Sequence, residues 1–447
     1  MYLLLLYEQL QVSLICFNFK NNTKFRNPLN GVFFMENLML KTEKIKVSNQ
    51  KILGWLFFVL VFIFSFAISQ NNFSDAAIWI AACGLGFTLQ KSRFCFASSF
   101  RDLFMFGSGH NMKAVLLAMS IASVGFVGIL KWILPDPVPG EFPSSAHVLP
   151  FGFSTLIAGT VFGVGMVTAG GCVSGTIYRI AEGYVASIVT MIGIFIGTIL
   201  LVITWDFWWD NFISNEPKIF LPSTQSIGYG FSLLITMLGI ILVYFLVVYI
   251  ETKSGVGSFS ISKKSELKSK SFFETIKQNI DTLFSKSWTA YSGGIALGFI
   301  GIVYFLFHSP PGVTGEIMKQ SMNIAQGINL SDGPLKGIAS LSGCLGSSIE
   351  SGIISHTFVS TVGVFFGALV SALLSQEFKI RTPKETKRYV QSLSGGILMG
   401  YSASLGIGCT IGAFFSAIPS FSLSGWLFGI SLAMGAFIGT KIIKFIG

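Results

Sequence analysis

Apolar residues in this chain come in long blocks rather than alternating with polar ones. Ten blocks approach the roughly 20 residues needed to cross a bilayer. They run over residues 53–69, 75–90, 113–134, 151–181, 184–205, 226–250, 288–308, 353–375, 389–419 and 423–446. Each predicts a helix, because a backbone in hydrocarbon must satisfy its own N–H and C=O groups. The expected class is all-α, a polytopic integral membrane protein.

Charged positions gather between the blocks, and they are unevenly shared between the two sides. With the N-terminal tail cytoplasmic, 23 of the Lys and Arg from Lys41 onward fall inside, among them Lys41, Lys91, Arg93, Arg179, Lys263, Arg381, Arg388 and Lys444. The outside loops hold four, Lys131, Lys218, Lys319 and Lys336. Positive residues in short loops are retained on the cytoplasmic side, so both termini are expected inside a cytoplasmic membrane. Composition agrees, with 52% hydrophobic and 11% charged residues among 447, against roughly a quarter charged in soluble domains. The net charge of +10 follows from topology. The expected partner surface is the lipid bilayer, and no nucleic-acid partner is expected.

Two blocks repeat each other: AGTVFGVGMVTAGGCVSG ending at Gly175, and SGGILMGYSASLGIGCTIG ending at Gly412. At a constant offset Gly159, Gly163, Gly171, Cys172 and Gly175 match Gly396, Gly400, Gly408, Cys409 and Gly412. The crossing order runs the copies in opposite directions. The expectation is therefore a pseudo-two-fold inverted repeat, which in transporters places the substrate near the bilayer midplane between the copies. Glycines four apart let neighbouring helices approach closely. Gly170 with Gly171, and Gly406 with Gly408, weaken the helix by about 1 kcal/mol each relative to Ala and predict breaks. Cys172 and Cys409 then begin half-helices over 172–181 and 409–418, whose free N–H groups favour anions. Tight packing of small residues is the simpler alternative for either block alone.

The cysteines are Cys16, Cys83, Cys95, Cys172, Cys344 and Cys409. They lack the close Cys and His spacing of a zinc site or redox pair, so neither metal nor cofactor is expected. Cys16 and Cys83 read as small buried hydrophobes, and Cys344, in LSGCLGSS, is intermediate. Cys95 lies in a polar stretch with Arg93, Ser98, Ser99, Arg101 and Asp102, which is either a steering site for an anion or a cationic cytoplasmic loop. Thiols are weak donors with polarizable sulfur and suit a soft, sulfur-bearing anion better than sulfate. Glu350 and His356 are ionisable residues near the eighth crossing and are functional suspects.

RFCFASSFRDL (93–103), FGVGMVTAGGCVSGTIYRIAEG (162–183), PPGVTG (310–315) and GCTIGAFFSAIPSFSLSGWLFG (408–429) together resemble the YeeE/YedE family of bacterial membrane proteins. The resemblance implies an inverted-repeat transporter, not an enzyme, that takes up thiosulfate or a related sulfur or selenium species along cysteine thiols. Carried over, the central thiols are Cys172 and Cys409, and Cys95 is nearer the cytoplasm. The flanking Gly171, Gly175, Gly408 and Gly412, with Arg93, complete the expected substrate contacts, and Thr314 in GVTG matches another half-helix start. A small cytoplasmic sulfur-carrier protein is an implied partner.

The expected organisation is a tail over 1–50, a first repeat over 51–250, a Lys/Ser-rich cytoplasmic linker over 251–287 and a second repeat over 288–447. Residues 1–34 make neither a clean span nor a signal peptide, and Met35 is a plausible true start. The selenium branch shares these motifs. A membrane sulfurtransferase using a thiolate is the competing class, for which Cys95 beside Arg93 is the candidate nucleophile, and a cargo-free assembly subunit is a further competitor.

Overall fold

The computed structural model describes residues 28–70, 72–224, 227–254, 286–330, 335–343 and 355–446. Cys16, Cys344, Glu350 and most of the 251–287 linker lie outside the described residues. Contacts divide the chain into residues 1–52 and 53–447. The first unit contributes the start of helix α1 (Pro28–Ser69). In the second, the regular elements among the described residues are all helices, beside three isolated β-bridges.

Its first half contains α2 (Phe73–Lys91), α3 (Phe96–Phe106), α4 (His110–Ile133), α5 (Phe153–Ala169), α6 (Val173–Ala181), α7 (Val185–Asn211) and α8 (Gly228–Lys253). Its second half contains α9 (Ala290–Phe307), α10 (Thr314–Gly327), α11 (His356–Leu374), α12 (Thr386–Leu405), a π-helical segment (Thr410–Ser416) and α13 (Leu423–Ile446). Among the described residues nine helices are long and apolar enough to cross a membrane, or ten if the pair 386–405 and 410–416, bent by 48°, is one crossing. These ten overlap the ten apolar blocks, the second running on through α3 to Phe106. The short α10 is additional; its polar residues kept it out of a reading based on unbroken hydrophobicity.

Helices of the first half pack on helices of the second. The close pairs are α2 with α11, α4 with α9, α5 with α13 and α7 with α12. Glycine makes these approaches possible. A Cβ on Gly197 would lie 2.0 Å from the Ile397 carbonyl oxygen, and one on Gly400 the same distance from that of Ile194. Gly435 meets the Thr160 carbonyl at 1.9 Å, and Gly86 that of Val364 at 2.0 Å. Gly159, Gly163, Gly396 and Gly400 all sit against backbone of a partner helix, the contact expected of their four-residue spacing. Outward faces are apolar: Phe66, Leu242 and Phe245 are each about two-thirds exposed, as lipid-facing side chains are.

Substituting Gly197→Val should destabilise the folded protein by about 1–3 kcal/mol through overpacking against backbone that cannot yield. Gly128→Ala, where a Cβ meets nothing within 4 Å, should leave stability unchanged or slightly raised. Thermal melting in detergent checks both, and equal melting for Gly197→Val and wild type would contradict the packing account.

Candidate functional site

Three short helical elements begin immediately after a cysteine. Cys95 precedes α3, Cys172 precedes α6 and Cys409 precedes the π-helical segment, each as an extended N-cap residue whose side chain makes no capping bond. The two matched copies share their local geometry. Cys172 has φ −82° and ψ −178°, and Cys409 has φ −88° and ψ −169°. Each begins its element with a carbonyl that accepts from the residue four later, Thr176 N–H at 2.8 Å and Ala413 N–H at 2.7 Å.

The chain enters each turn through a left-handed residue, Gly170 (φ 80°) in the first copy and Ile407 (φ 57°) in the second. The sequence predicted the second break from Gly406 with Gly408; α12 ends at Leu405, and Gly406 itself has an ordinary negative φ. A β-branched residue at positive φ is costly, by about 1–3 kcal/mol, and Ile407 is held there while buried. The sequence carried no sign of this, because Ile ordinarily argues against the left-handed region.

Cys95, Cys172 and Cys409 are free and buried. Cys95 and Cys172 converge on Gly175, where a Cβ would lie 3.1 Å from the Cys95 sulfur and 3.4 Å from the Cys172 sulfur. The two thiols are within hydrogen-bonding reach of each other. The Cys172 sulfur also lies 3.4 Å from the Ser174 hydroxyl and against the side chain of Thr410, the residue after Cys409. The Cys409 sulfur faces the backbone N–H groups of Ile411, Gly412 and Val313. Val313 is the N-cap of α10, so Cys409 sits where the second copy meets the PPGVTG segment. The Pro311 carbonyl of that segment accepts from Ser416 Oγ at 2.8 Å.

Thr314 and Thr410, the first residues of their elements, are buried; among the described residues the Thr314 hydroxyl has no hydrogen-bond partner, and that of Thr410 has none but the Cys172 sulfur beside it. Such a group costs about 1–3 kcal/mol when left unmade, so both are available to a polar ligand. Gly171 packs beneath the Arg179 guanidinium, where a Cβ would stand 3.1 Å from Nη1. At Gly408 a Cβ would meet the Ala413 amide at 2.8 Å. Gly412 offers its carbonyl to His147 Nδ1 at 3.1 Å.

Arg93 is placed elsewhere. Its side chain is 69% exposed and paired with Glu377 at 2.9 Å. The cation whose charge reaches Cys95 is Arg179, about two helical turns further along the Cys172 copy. Arg179 Nη1 donates to the Gly170 carbonyl, and Arg388 Nη2 donates to the Ala169 carbonyl at 3.1 Å. These guanidiniums satisfy carbonyls left free at the end of α5. Both arginines had been assigned only to topology. Their helical positions gave no sign that they fold back onto the break. Next to them Gln90 Nε2 donates to Glu182 Oε1 at 3.0 Å and to Glu377 Oε2 at 2.9 Å. Burial raises the Glu182 carboxyl above its usual range, a shift the bond from Gln90 opposes.

Residues 91–438 match the sulphur transport family. The chain belongs to that family. It is 25% identical over 366 residues to the thiosulfate transporter TsuA of Escherichia coli, covering 81% of this chain and 93% of that protein. It is 27% identical over 356 residues to the thiosulfate transporter TsuA of Spirochaeta thermophila, covering 78% and 93%. A probable transporter YedE of Salmonella typhimurium is 31% identical over 163 residues, 36% of this chain and 39% of that protein. The resemblance to YeeE/YedE proteins read from the motifs therefore holds. These relatives are named as transporters, not enzymes, and the protein is a multi-pass membrane protein of sulfur-compound transport.

Gly175→Ala should keep the fold but push the two sulfurs apart by a few tenths of an ångström. Conversion of Cys95 and Cys172 to mixed disulfides by a small methanethiosulfonate, with release of methanesulfinate, should slow several-fold relative to wild type. Unchanged labelling of both would mean that Gly175 does not set their spacing.

Proposed function

We propose that this protein imports thiosulfate, or a closely related sulfur-bearing anion, along a path lined by neutral thiols. The carrying observation is the placement of three buried cysteines. Cys95 and Cys172 share one contact at Gly175, and Cys172 touches the residue that follows Cys409. Matched backbone geometry at Cys172 and Cys409, and the crosswise pairing of first-half with second-half helices, support the inverted-repeat reading with the site between the copies. The positive bias of the loops supports cytoplasmic termini.

The anion enters beside Cys409, where the N–H groups of Val313, Ile411 and Gly412 and the open hydroxyls of Thr314 and Thr410 replace part of its hydration. It steps to Cys172 and then to Cys95, toward the Arg179 charge. Neutral donors suit transit because they hold a dianion without the grip of a permanent ion pair. An unperturbed thiol, with a pKa of about 8.5, is mostly protonated at neutral pH. The Cys172 end has guanidiniums and the Cys409 end has none at the matched positions, so the path is polarised inward. A sulfur-carrier protein on the cytoplasmic side is the proposed acceptor. Selenium species are the closest rival cargo.

A covalent route has one observation in its favour, the Arg179 charge near Cys95. Attack of a Cys95 thiolate on the outer sulfur of thiosulfate would release sulfite and leave a persulfide.

Radiolabelled uptake into proteoliposomes should be strong for thiosulfate and weak for sulfate and selenite. Cys172→Ala and Cys409→Ala should each cut thiosulfate uptake at least ten-fold. Equal uptake by all three proteins would remove the thiol path. Mass spectrometry during turnover should find Cys95 unmodified; a persulfide there, lost with its sulfite release in Cys95→Ser, would replace transport by sulfur transfer.

A further inference from the structure

Three of the chain's four histidines meet in one small cavity. His147, His308 and His356 line it together with Tyr304 and with Gly312 and Gly315, which flank Thr314. The fourth, His110, lies apart at the start of α4 against Tyr291. The His308 and His356 rings lie 4.4 Å apart. His356 Nδ1 contacts the Asp75 carboxylate, and both side chains are 22% exposed. His147 is buried and reaches the Gly412 carbonyl. Burial lowers its pKa to about 4, which keeps it neutral, and the carbonyl, which can only accept, places the proton on Nδ1. The cavity thus joins an accessible histidine pair to the carbonyl of the turn that follows Cys409.

A dianion moving inward works against an inside-negative potential. Two charges at 100 mV disfavour accumulation roughly 2,000-fold. Concentrative uptake needs compensating cations. Histidine is the side chain whose ordinary titration spans neutral pH. We propose that His308 and His356, with Asp75 as counter-ion, form a proton-binding site that couples proton entry to anion entry at Cys409. This inference rests on the transport reading above.

Asp75 faces the pair from α2, Tyr304 from α9, Glu316 from α10 through Thr357, and His147 from the 134–152 segment. Glu316 is held by Ser355 and Thr357 hydroxyls at 3.0 Å each and by Gln320. Asp75 is the carboxylate in contact with the imidazole. Protonation makes the pair cationic beside the anion's entry, and deprotonation after the anion has passed releases it. Two protons per dianion would make the cycle electrically silent.

The test uses the full chain in proteoliposomes holding a pH dye, with the potential clamped by potassium and valinomycin. Thiosulfate added outside should acidify the lumen in step with labelled uptake, and an inward proton gradient should raise initial uptake at least five-fold. His308→Gln and His356→Gln should abolish the acidification and flatten the rate between external pH about 5.5 and 7.5. Exchange of internal for external thiosulfate, which needs no net proton movement, should continue and show that the variants are folded. Uptake by the wild type without acidification, indifferent to the gradient, would overturn the coupling while leaving transport intact. Absence of any thiosulfate uptake or exchange by the wild type would instead remove the transport reading, and the coupling with it.

Discussion

Direct backbone contact between helices of the two halves is the constraint on which the rest depends. Lipid tails are as apolar as leucine, so burying side chains gives helices little reason to associate within a bilayer. Van der Waals contact at short range does. Gly197 and Gly400 on α7 and α12, and Gly163 and Gly435 on α5 and α13, bring carbonyls within about 2 Å of where a Cβ would stand. This crosswise clamp holds the segments between α5 and α7, and between α12 and α13, inside the protein, where the helix is interrupted. Those interruptions hold Cys172 and Cys409.

Non-helical backbone at membrane depth is tolerated only where protein or a polar ligand satisfies it. The first turn does this with Arg179 and Arg388, whose guanidiniums take the Gly170 and Ala169 carbonyls. Among the described residues the second has no such cations and instead carries a strained Ile407. Two copies with the same cysteine geometry are thus unequal in charge: neutral N–H groups face Cys409, and guanidiniums lie beside the Cys172 turn.

The ten apolar blocks were legible because hydrophobic length is a one-dimensional property, and so was the family, because RFCFASS, GGCVSG, PPGVTG and GCTIG are contiguous. Cys95, Cys172 and Cys409 were legible as a set for the same reason. Arg93 was misplaced: proximity in sequence put its charge beside Cys95, but a left-handed backbone at residue 93 (φ 50°) turns the side chain out to Glu377. Arg179 took that place from 84 positions away.

By itself, then, the sequence determined that the chain lives in a bilayer, where its nine or ten segments long and apolar enough to cross lie, and which thiols and glycines are duplicated. Each of these follows from local composition or from a repeat along the chain. Which thiol meets which, which arginine supplies the charge, and the gathering of His147, His308 and His356 were decided by the fold alone. Those contacts join residues 48 to 238 positions apart, from His308 with His356 to Cys172 with Thr410, and no local periodicity encodes a meeting that depends on how helices pack.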